Sequence, residues 1–137
     1  MKAVFADTFY WVALTDPNDD LYRQAAKLDE MLAGVRIVTT DEVLSEFLTF
    51  LSGNLWMRNR AVETVRELGR APNVHIFPQS RQSFQDGFEL YAARADKRYS
   101  LTDCIAMTTM THEGITDVLT NDRHFEQEGF RALFRDS

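Results

Sequence analysis

Short apolar runs rich in β-branched residues alternate with helical patterns along almost the whole chain. Five segments have the composition of strands, the last more weakly than the others: residues 2–6, 35–38, 74–77, 117–120 and 130–134. The segments between them repeat apolar residues at the spacing of a helix face. Strands joined by helices imply a parallel sheet covered on both faces. With 137 residues available for a core, the sequence predicts a single α/β domain over residues 1–137.

Glycines and capping residues punctuate the helical patterns. One pattern ends before Gly34, and a further helix is predicted from Ser100 to near Gly114. Thr39, three residues before Glu42, resembles the start of a capping box. Three patterns each place four apolar residues on one helix face: Leu21, Ala25, Leu28 and Leu32; Leu44, Phe47, Leu48 and Leu51; and Phe84, Phe88, Tyr91 and Ala95.

The charge balance argues against a protein that coats nucleic acid. The chain has 15 Lys and Arg against 21 Asp and Glu, a formal net charge of -6 at pH 7, so any contact with RNA or DNA must be local. Arginine accounts for 12 of the 15 basic residues, and its side chain forks onto phosphate or carboxylate. The composition therefore favours a local site over a broad basic surface.

Cysteine usage and hydropathy indicate the compartment. Cys104 is the single cysteine, which excludes an internal disulfide and agrees with a reducing environment. No apolar run approaches the roughly 20 residues needed to span a bilayer, and Asp7 interrupts the stretch that a signal peptide would continue. We therefore expect a soluble, cytoplasmic protein with no membrane partner.

Four acidic residues emerge beside the most apolar stretches of the chain. Asp7 and Asp122 stand at the carboxyl ends of two predicted strands, in AVFADTFYW and VLTNDRHF. Glu46 and Asp103 lie near the starts of two predicted helices. Sites in open parallel sheets form at the carboxyl ends of the strands, so the four carboxylates are predicted to meet at one rim. Taken singly, the three aspartates also suit helix caps or first turns, and the glutamate suits a solvated helix face.

Carboxylates gathered at one rim require a positive counter-charge. Two of them about 4 Å apart repel by about 4 kcal/mol at an effective dielectric constant near 20, and no lysine lies in the predicted strand-end segments. Mg²⁺ or Mn²⁺ binds carboxylate oxygens while keeping water and substrate ligands, and it activates water for phosphodiester hydrolysis. The sequence offers no convincing Ser-His-Asp or Cys-His arrangement and no phosphate-binding glycine loop. The pattern therefore favours metal-dependent hydrolysis.

Four ordered motifs resemble those of PIN-domain ribonucleases, in particular the VapC-like toxins of bacterial toxin-antitoxin pairs. They are VFADTFYWVAL, SEFL, YSLTDCIAM and VLTNDRHFEQEGF, and they cover nearly the whole chain in order and spacing. The resemblance implies a three-layer α/β/α fold with a central, mainly parallel sheet. It implies Mg²⁺- or Mn²⁺-dependent cleavage of RNA by an endoribonuclease. It also implies a homodimer and a small antitoxin protein as partner.

The resemblance assigns roles position by position. Asp7 and Asp103 are expected to be direct metal ligands, and the other two acids to act directly or through water. Thr8 and Asn121 match supporting positions beside the first and fourth acids. His124 is interpreted as a turn or capping residue, since oxygen donors already suit a hard metal. The catalytic and metal-binding acids are Asp7, Glu46, Asp103 and Asp122.

Two other functions share parts of this pattern. A non-catalytic RNA- or protein-binding module would keep the PIN fold and use its acidic cleft for architecture or regulation. A phosphoryl-accepting receiver domain also has carboxylates at strand ends. It requires paired early acids, an aspartate on a middle strand and a late lysine, which this chain does not convincingly supply.

The segment FLTFLSGNLWM is predicted to form part of a partner surface. A small domain has few wholly buried helices, and unexplained aromatic patches often mark contacts. The residues expected to be exposed there are Phe50, Leu51, Leu55, Trp56 and Met57.

Overall fold

The computed structural model describes residues 2–136, and a five-stranded sheet lies at its centre. The strands are β1 (Ala3–Ala6), β2 (Arg36–Thr40), β3 (Val74–Phe77), β4 (Asp117–Leu119) and β5 (Arg131–Ala132). Their spatial order is β3-β2-β1-β4-β5, and all neighbouring pairs are parallel. The predicted strands are all confirmed, including the short β5, whose segment has the weakest pattern in the sequence.

Residues 2–136 also form eight helices that flank the sheet. They are α1 (Thr8–Thr15), α2 (Tyr22–Met31), α3 (Asp41–Phe50), α4 (Leu55–Arg70), α5 (Arg81–Ala93), α6 (Leu101–Glu113), α7 (Arg123–Gln127) and α8 (Leu133–Asp136). The prediction of an α/β/α fold with a parallel sheet is confirmed. Among these helices, none has both the length and the apolar character needed to cross a membrane.

The core forms around the central strand β1. Its residues Val4, Phe5 and Ala6 are fully buried, because β1 has strands on both sides and helices over its faces. Burying a side chain the size of Phe5 contributes about 1.5–3 kcal/mol. The following helix α1 contacts α2, α3 and α4. These contacts explain why α1 is apolar almost all round.

Helix α4 has no counterpart in the sequence prediction. It is 16 residues long, but Ala61 is its only fully buried residue. Its first two residues, Leu55 and Trp56, are exposed, and most of its other positions are polar or charged. Met57, Val65 and Leu68 nevertheless recur with Ala61 at helical spacing and pack against the core, a pattern that the sequence prediction did not use. Asn54 caps its start by accepting a hydrogen bond from the Met57 backbone N–H at 3.0 Å.

The predicted capping box at Thr39 is wrong by one residue. Thr40 is the N-cap of α3, and its hydroxyl accepts a hydrogen bond from the Val43 backbone N–H at 3.1 Å. Thr39 still belongs to β2 and is fully buried. Its hydroxyl donates to the Ala6 carbonyl at 2.9 Å and accepts from Trp11 Nε1 at 3.3 Å. Thr39 therefore ties the carboxyl ends of β1 and β2 to helix α1.

Helix α5 carries its aromatic face toward solvent. Phe84, Phe88 and Tyr91 are all exposed, and the first two rings are stacked with centroids 6.2 Å apart. The opposite side of α5 packs on α6. At this contact a Cβ on Gly87 would overlap the Ile105 side chain and lie 3.1 Å from the Ile105 backbone N. Glycine is thus required for the close approach of these two helices.

The predicted exposure of the residues at the junction of α3 and α4, the proposed partner surface, is partly correct. Phe50, Leu55 and Trp56 are exposed, as the sequence indicates. Leu51 is buried instead, and Met57 is half-buried against the core. The last turn of α3 therefore faces inward at Leu51 while its neighbour Phe50 faces outward.

Candidate active site

The candidate site lies beside the central strand β1, where the order of the strands in the sheet reverses. From β1 the chain adds β2 and β3 on one side, and then β4 and β5 on the other. Open parallel sheets have a crevice at the carboxyl ends of the strands at this switch point. The Asp7 backbone N–H donates to the Leu119 carbonyl at 3.4 Å. The residues that follow β1 and β4 therefore share one rim.

Asp7 occupies the N-cap position of α1, but its side chain makes no capping hydrogen bond. Asp7 is only 5% exposed. Its carboxylate Oδ2 accepts a hydrogen bond at 3.0 Å from the hydroxyl of the fully buried Thr120. Burial raises the pKa of Asp7 to about 7, with further contributions from the charges of Asp103 and Glu46. The Thr8 backbone N–H and the Thr120 hydroxyl favour the charged form and offset part of this rise.

Asp103 lies in the first turn of α6 and has two hydrogen-bonding neighbours. Its Oδ2 accepts from the Ser100 backbone N–H at 3.2 Å, and the Ser100 hydroxyl accepts from the Asp103 backbone N–H at 3.0 Å. Ser100 is thus the N-cap of α6, and the predicted start of this helix is confirmed. The same Oδ2 is 3.2 Å from His124 Nδ1. Burial raises the pKa of Asp103, opposed by the hydrogen bonds from Ser100 and His124.

Asp122 is half-exposed and caps α7, the short helix that follows β4 after a loop of three residues. Its Oδ1 accepts from the His124 backbone N–H at 2.9 Å and lies 3.4 Å from His124 Nδ1. Its own backbone N–H donates to the Thr120 hydroxyl at 3.1 Å. Thr120 therefore joins the first and fourth acids, Asp7 and Asp122. One ligand atom each from Asp103, Asp122 and His124 lies within 4.8 Å of the others.

The other residues singled out by sequence have different surroundings from Asp103, Asp122 and His124. Glu46 is exposed on α3 and acts on Asp7 through its charge. The Thr8 hydroxyl donates to the Val43 carbonyl at 3.4 Å, which links α1 to α3. Asn121 is exposed on the loop between β4 and α7. Sequence reasoning missed Thr120 as a partner of Asp7 and assigned His124 only a turn or capping role.

A family comparison fits this arrangement. The sequence model described as PIN domain matches residues 4–130. The chain belongs to the PIN domain family. The resemblance drawn from the four motifs is thereby confirmed.

Proteins of known function and structure resemble most of this chain. One relative is the 23S rRNA-specific endonuclease VapC20 of Mycobacterium tuberculosis, which is 24% identical over 127 residues, or 93% of this chain and 95% of VapC20. The crystal structure of VapC20, titled a Sarcin-Ricin loop cleaving toxin, has a TM-score of 0.81 at 22% identity, with 93% of this chain and 95% of that chain covered.

Two further crystal structures share the PIN fold. VapBC2 from Rickettsia felis, bound to a DNA fragment from their promoter, has a TM-score of 0.65 at 16% identity, covering 91% of this chain and 92% of that one. FitAcB from Neisseria gonorrhoeae has a TM-score of 0.64 at 17% identity, covering 94% of each chain. At these identities the likeness shows the fold alone.

The side chains of this PIN domain fit a divalent cation. Burial raises the pKa of Asp7 to about 7, and the charges of Asp103 and Glu46 add to this rise, so its ionised form lacks sufficient compensating positive charge. Asp103 and Asp122 supply carboxylate oxygens close to His124. Oxygen-rich donor sets suit Mg²⁺ and Mn²⁺. A cation among these groups would favour the charged form of each acid.

Proposed function

We propose that this chain, as one PIN domain over residues 1–137, is a metal-dependent endoribonuclease and the toxin of a toxin-antitoxin pair. The observation that carries the proposal is the burial of Asp7 close enough to other acidic side chains to feel their charge. Its pKa is raised to about 7 by burial and by the charges of Asp103 and Glu46. Burying an acid among other acids costs stability, and such arrangements are concentrated at functional sites.

The four acids have distinct proposed roles. Asp7 and Asp103 are direct ligands of Mg²⁺ or Mn²⁺, and Glu46 and Asp122 act directly or through water. When bound, such an ion lowers the pKa of water and stabilises charge on phosphoryl oxygens. The Thr120 hydroxyl holds Asp7 Oδ2 in place at 3.0 Å. The earlier assignment of Thr8 and Asn121 as supporting residues stays part of this proposal.

RNA is the proposed substrate class. Support comes from the relative VapC20, whose name specifies a 23S rRNA endonuclease, and which aligns with 93% of this chain. The chain carries a net charge of -6, so RNA must be gripped locally rather than by a broad basic face. A cytoplasmic location, where RNA substrates are abundant, belongs to the same proposal.

The proposed activity is tested by adding metal back to stripped protein. Protein freed of metal with a chelator is incubated with total cellular RNA, including ribosomal RNA, and the RNA ends are mapped. We expect discrete cleavage sites only after Mg²⁺ or Mn²⁺ is added, because the carboxylates alone supply no counter-charge for the phosphoryl oxygens. Protein that binds RNA or a partner but cuts nothing at any metal concentration would instead be a non-catalytic module.

A small antitoxin is the proposed inhibitor. The structural neighbour from Rickettsia felis is VapBC2 bound to a DNA fragment from their promoter. This neighbour supports a toxin-antitoxin pair for this chain as well. The product of a neighbouring gene is expected to co-purify with the protein and to suppress RNA cleavage at equal molar amounts. Undiminished cleavage in its presence would remove it as the antitoxin.

We also propose a homodimer formed through α5. Phe84, Phe88 and Tyr91 expose an aromatic face there, and a monomer rarely leaves such a face uncovered. Light scattering of the purified protein should give a mass twice 15.8 kDa. Phe88→Asp should shift the mass to that of one chain, because a buried unpaired charge is costly. The control Met31→Asp, at an exposed residue of α2 outside both apolar surfaces, should leave the dimer intact.

A further inference from the structure

We infer that His124 is a nitrogen ligand of the metal site and biases that site toward first-row transition ions such as Mn²⁺ over Mg²⁺. The inference rests on the proposed metal dependence, but it concerns which atom binds the ion and which ion is preferred. It replaces the interpretation of His124 as a turn residue. A histidine at this place adds a donor that a purely acidic site lacks.

The spacing of the three donor atoms is that of neighbouring ligands. His124 Nδ1 lies 3.2 Å from Asp103 Oδ2 and 3.4 Å from Asp122 Oδ1, and the three candidate ligand atoms all fall within 4.8 Å. Ligands at about 2.1 Å from an ion stand about 3 Å apart when they occupy adjacent corners of an octahedron. Only small side-chain movements are needed to accept an ion between these groups.

The imidazole ring is held in this position from two sides. The His124 backbone N–H donates a hydrogen bond to Asp122 Oδ1 at 2.9 Å. Its ring packs against the buried ring of Tyr99, with centroids 5.3 Å apart. The Tyr99 hydroxyl donates to Glu128 at 3.0 Å, and Glu128 accepts hydrogen bonds from Arg94 at 2.8 and 2.9 Å. Such outer contacts orient a ligating histidine and sustain its affinity for metal.

The chemistry of imidazole permits Nδ1 to exchange its contact with Asp103 for a bond to a metal ion. A neutral imidazole carries hydrogen on one nitrogen and a lone pair on the other. With the hydrogen on Nε2, Nδ1 carries the lone pair that could bind an ion, and Nδ1 lies 3.2 Å from Asp103 Oδ2 and 3.4 Å from Asp122 Oδ1. Coordination then replaces the contact between Nδ1 and the Asp103 carboxylate, and no bond to the backbone is lost.

The nitrogen donor predicts a preference among divalent ions. Mg²⁺ takes oxygen ligands and gives up water reluctantly. Imidazole suits first-row transition ions, and affinity for nitrogen-containing sites rises along that series from Mn²⁺. Glu46 and Asp7 would bind both kinds of ion through oxygen, so selectivity in this site depends on His124.

The test compares wild type with His124→Asn and measures metal binding rather than cleavage. The Asn amide can still donate a hydrogen bond toward Asp103 but has no imidazole nitrogen. Mn²⁺ is titrated into metal-free protein by electron paramagnetic resonance, and the bound ion is examined for magnetic coupling to ¹⁴N. His112→Asn is the matched control, because His112 is exposed at the far end of α6.

We expect ¹⁴N coupling in wild type and in His112→Asn, and its loss in His124→Asn. Mn²⁺ affinity should fall about tenfold or more in His124→Asn, since even losing a group that only orients a ligand costs 10–100-fold. Competition with Mg²⁺ should show a much smaller change in Mg²⁺ affinity. Bound Mn²⁺ without ¹⁴N coupling in wild type would overturn the role of His124 and leave the proposed nuclease intact. Absence of Mn²⁺ binding altogether would overturn both.

Discussion

Asp7→Asn is expected to abolish RNA cleavage while stabilising the metal-free protein at neutral and higher pH. The asparagine keeps an oxygen that can accept the hydrogen bond from Thr120, at 3.0 Å in the wild type. It removes the negative charge that a divalent ion needs and that burial opposes. Activity and stability therefore move in opposite directions, as expected where a residue is kept for function rather than folding.

The loss of activity should be at least about 10²-fold, which is the usual effect of removing one group that stabilises charge in the transition state. It is measured as the initial rate of RNA cleavage at saturating Mg²⁺ or Mn²⁺, with circular dichroism to verify the fold. Asp103→Asn should lose cleavage similarly, because it removes a negative charge of the proposed metal site. Its amide oxygen can still accept from the Ser100 N–H, so the fold should be kept. Asp20→Asn, at an exposed aspartate, is the matched control and should keep the wild-type rate. Equal cleavage by wild type, Asp7→Asn and Asp103→Asn would reject the proposed mechanism.

The strands and the acidic rim could be predicted from sequence because both depend on local pattern. Each strand is a short apolar run, and a parallel sheet places the carboxyl ends of its strands along one edge. Asp7 follows one such run directly, and Asp122 follows another after Asn121. Their arrival at the same rim needs only that β1 and β4 be neighbours, which the structure shows.

The side-chain partnerships in the site could not be predicted in the same way. Thr120 is 113 residues from Asp7, and their hydrogen bond exists only because β1 pairs with β4 in one register. His124 reaches Asp103 because α7 turns back toward the first turn of α6. The sequence instead indicated Thr8, whose hydroxyl donates to the Val43 carbonyl. Adjacency along the chain is a poor guide to contacts formed between elements.

Two features of the helices were not predicted. Helix α4 has an apolar face at helical spacing, formed by Met57, Ala61, Val65 and Leu68, and the prediction overlooked it although the pattern was present. In α5 the strongest apolar stripe, from Phe84 to Tyr91, faces solvent, and the contact with α6 is made at Gly87. A glycine contributes nothing to an apolar pattern even where it decides how closely two helices pack.

The raised pKa of Asp7 also predicts how the stability of the folded protein depends on pH. The unfolded chain ionises this acid near pH 3.8, whereas the folded metal-free protein keeps it protonated until about pH 7. Between these values the native state binds more protons, so its stability falls as pH rises through this window and levels off above it. The difference between 3.8 and about 7 corresponds to about 4 kcal/mol, at about 1.4 kcal/mol per pH unit.

Denaturant unfolding of wild type and Asp7→Asn from pH 4 to pH 8.5, in chelator, isolates this contribution. The two proteins should be nearly equal in free energy of unfolding at pH 4, and the variant should be more stable by up to about 4 kcal/mol above pH 7. The lowered pKa of Glu128 affects both proteins alike and cancels in the comparison, whereas the charge of Asp103 contributes to the raised pKa of Asp7 and is part of the measured difference. Adding Mn²⁺ at pH 8 should stabilise the wild type far more than the variant, because the ion binds the ionised carboxylate of the native state. A difference between the two proteins that stays constant across the pH range would show that Asp7 ionises in the folded protein as freely as in the unfolded chain, and the electrostatic basis of the site would be lost.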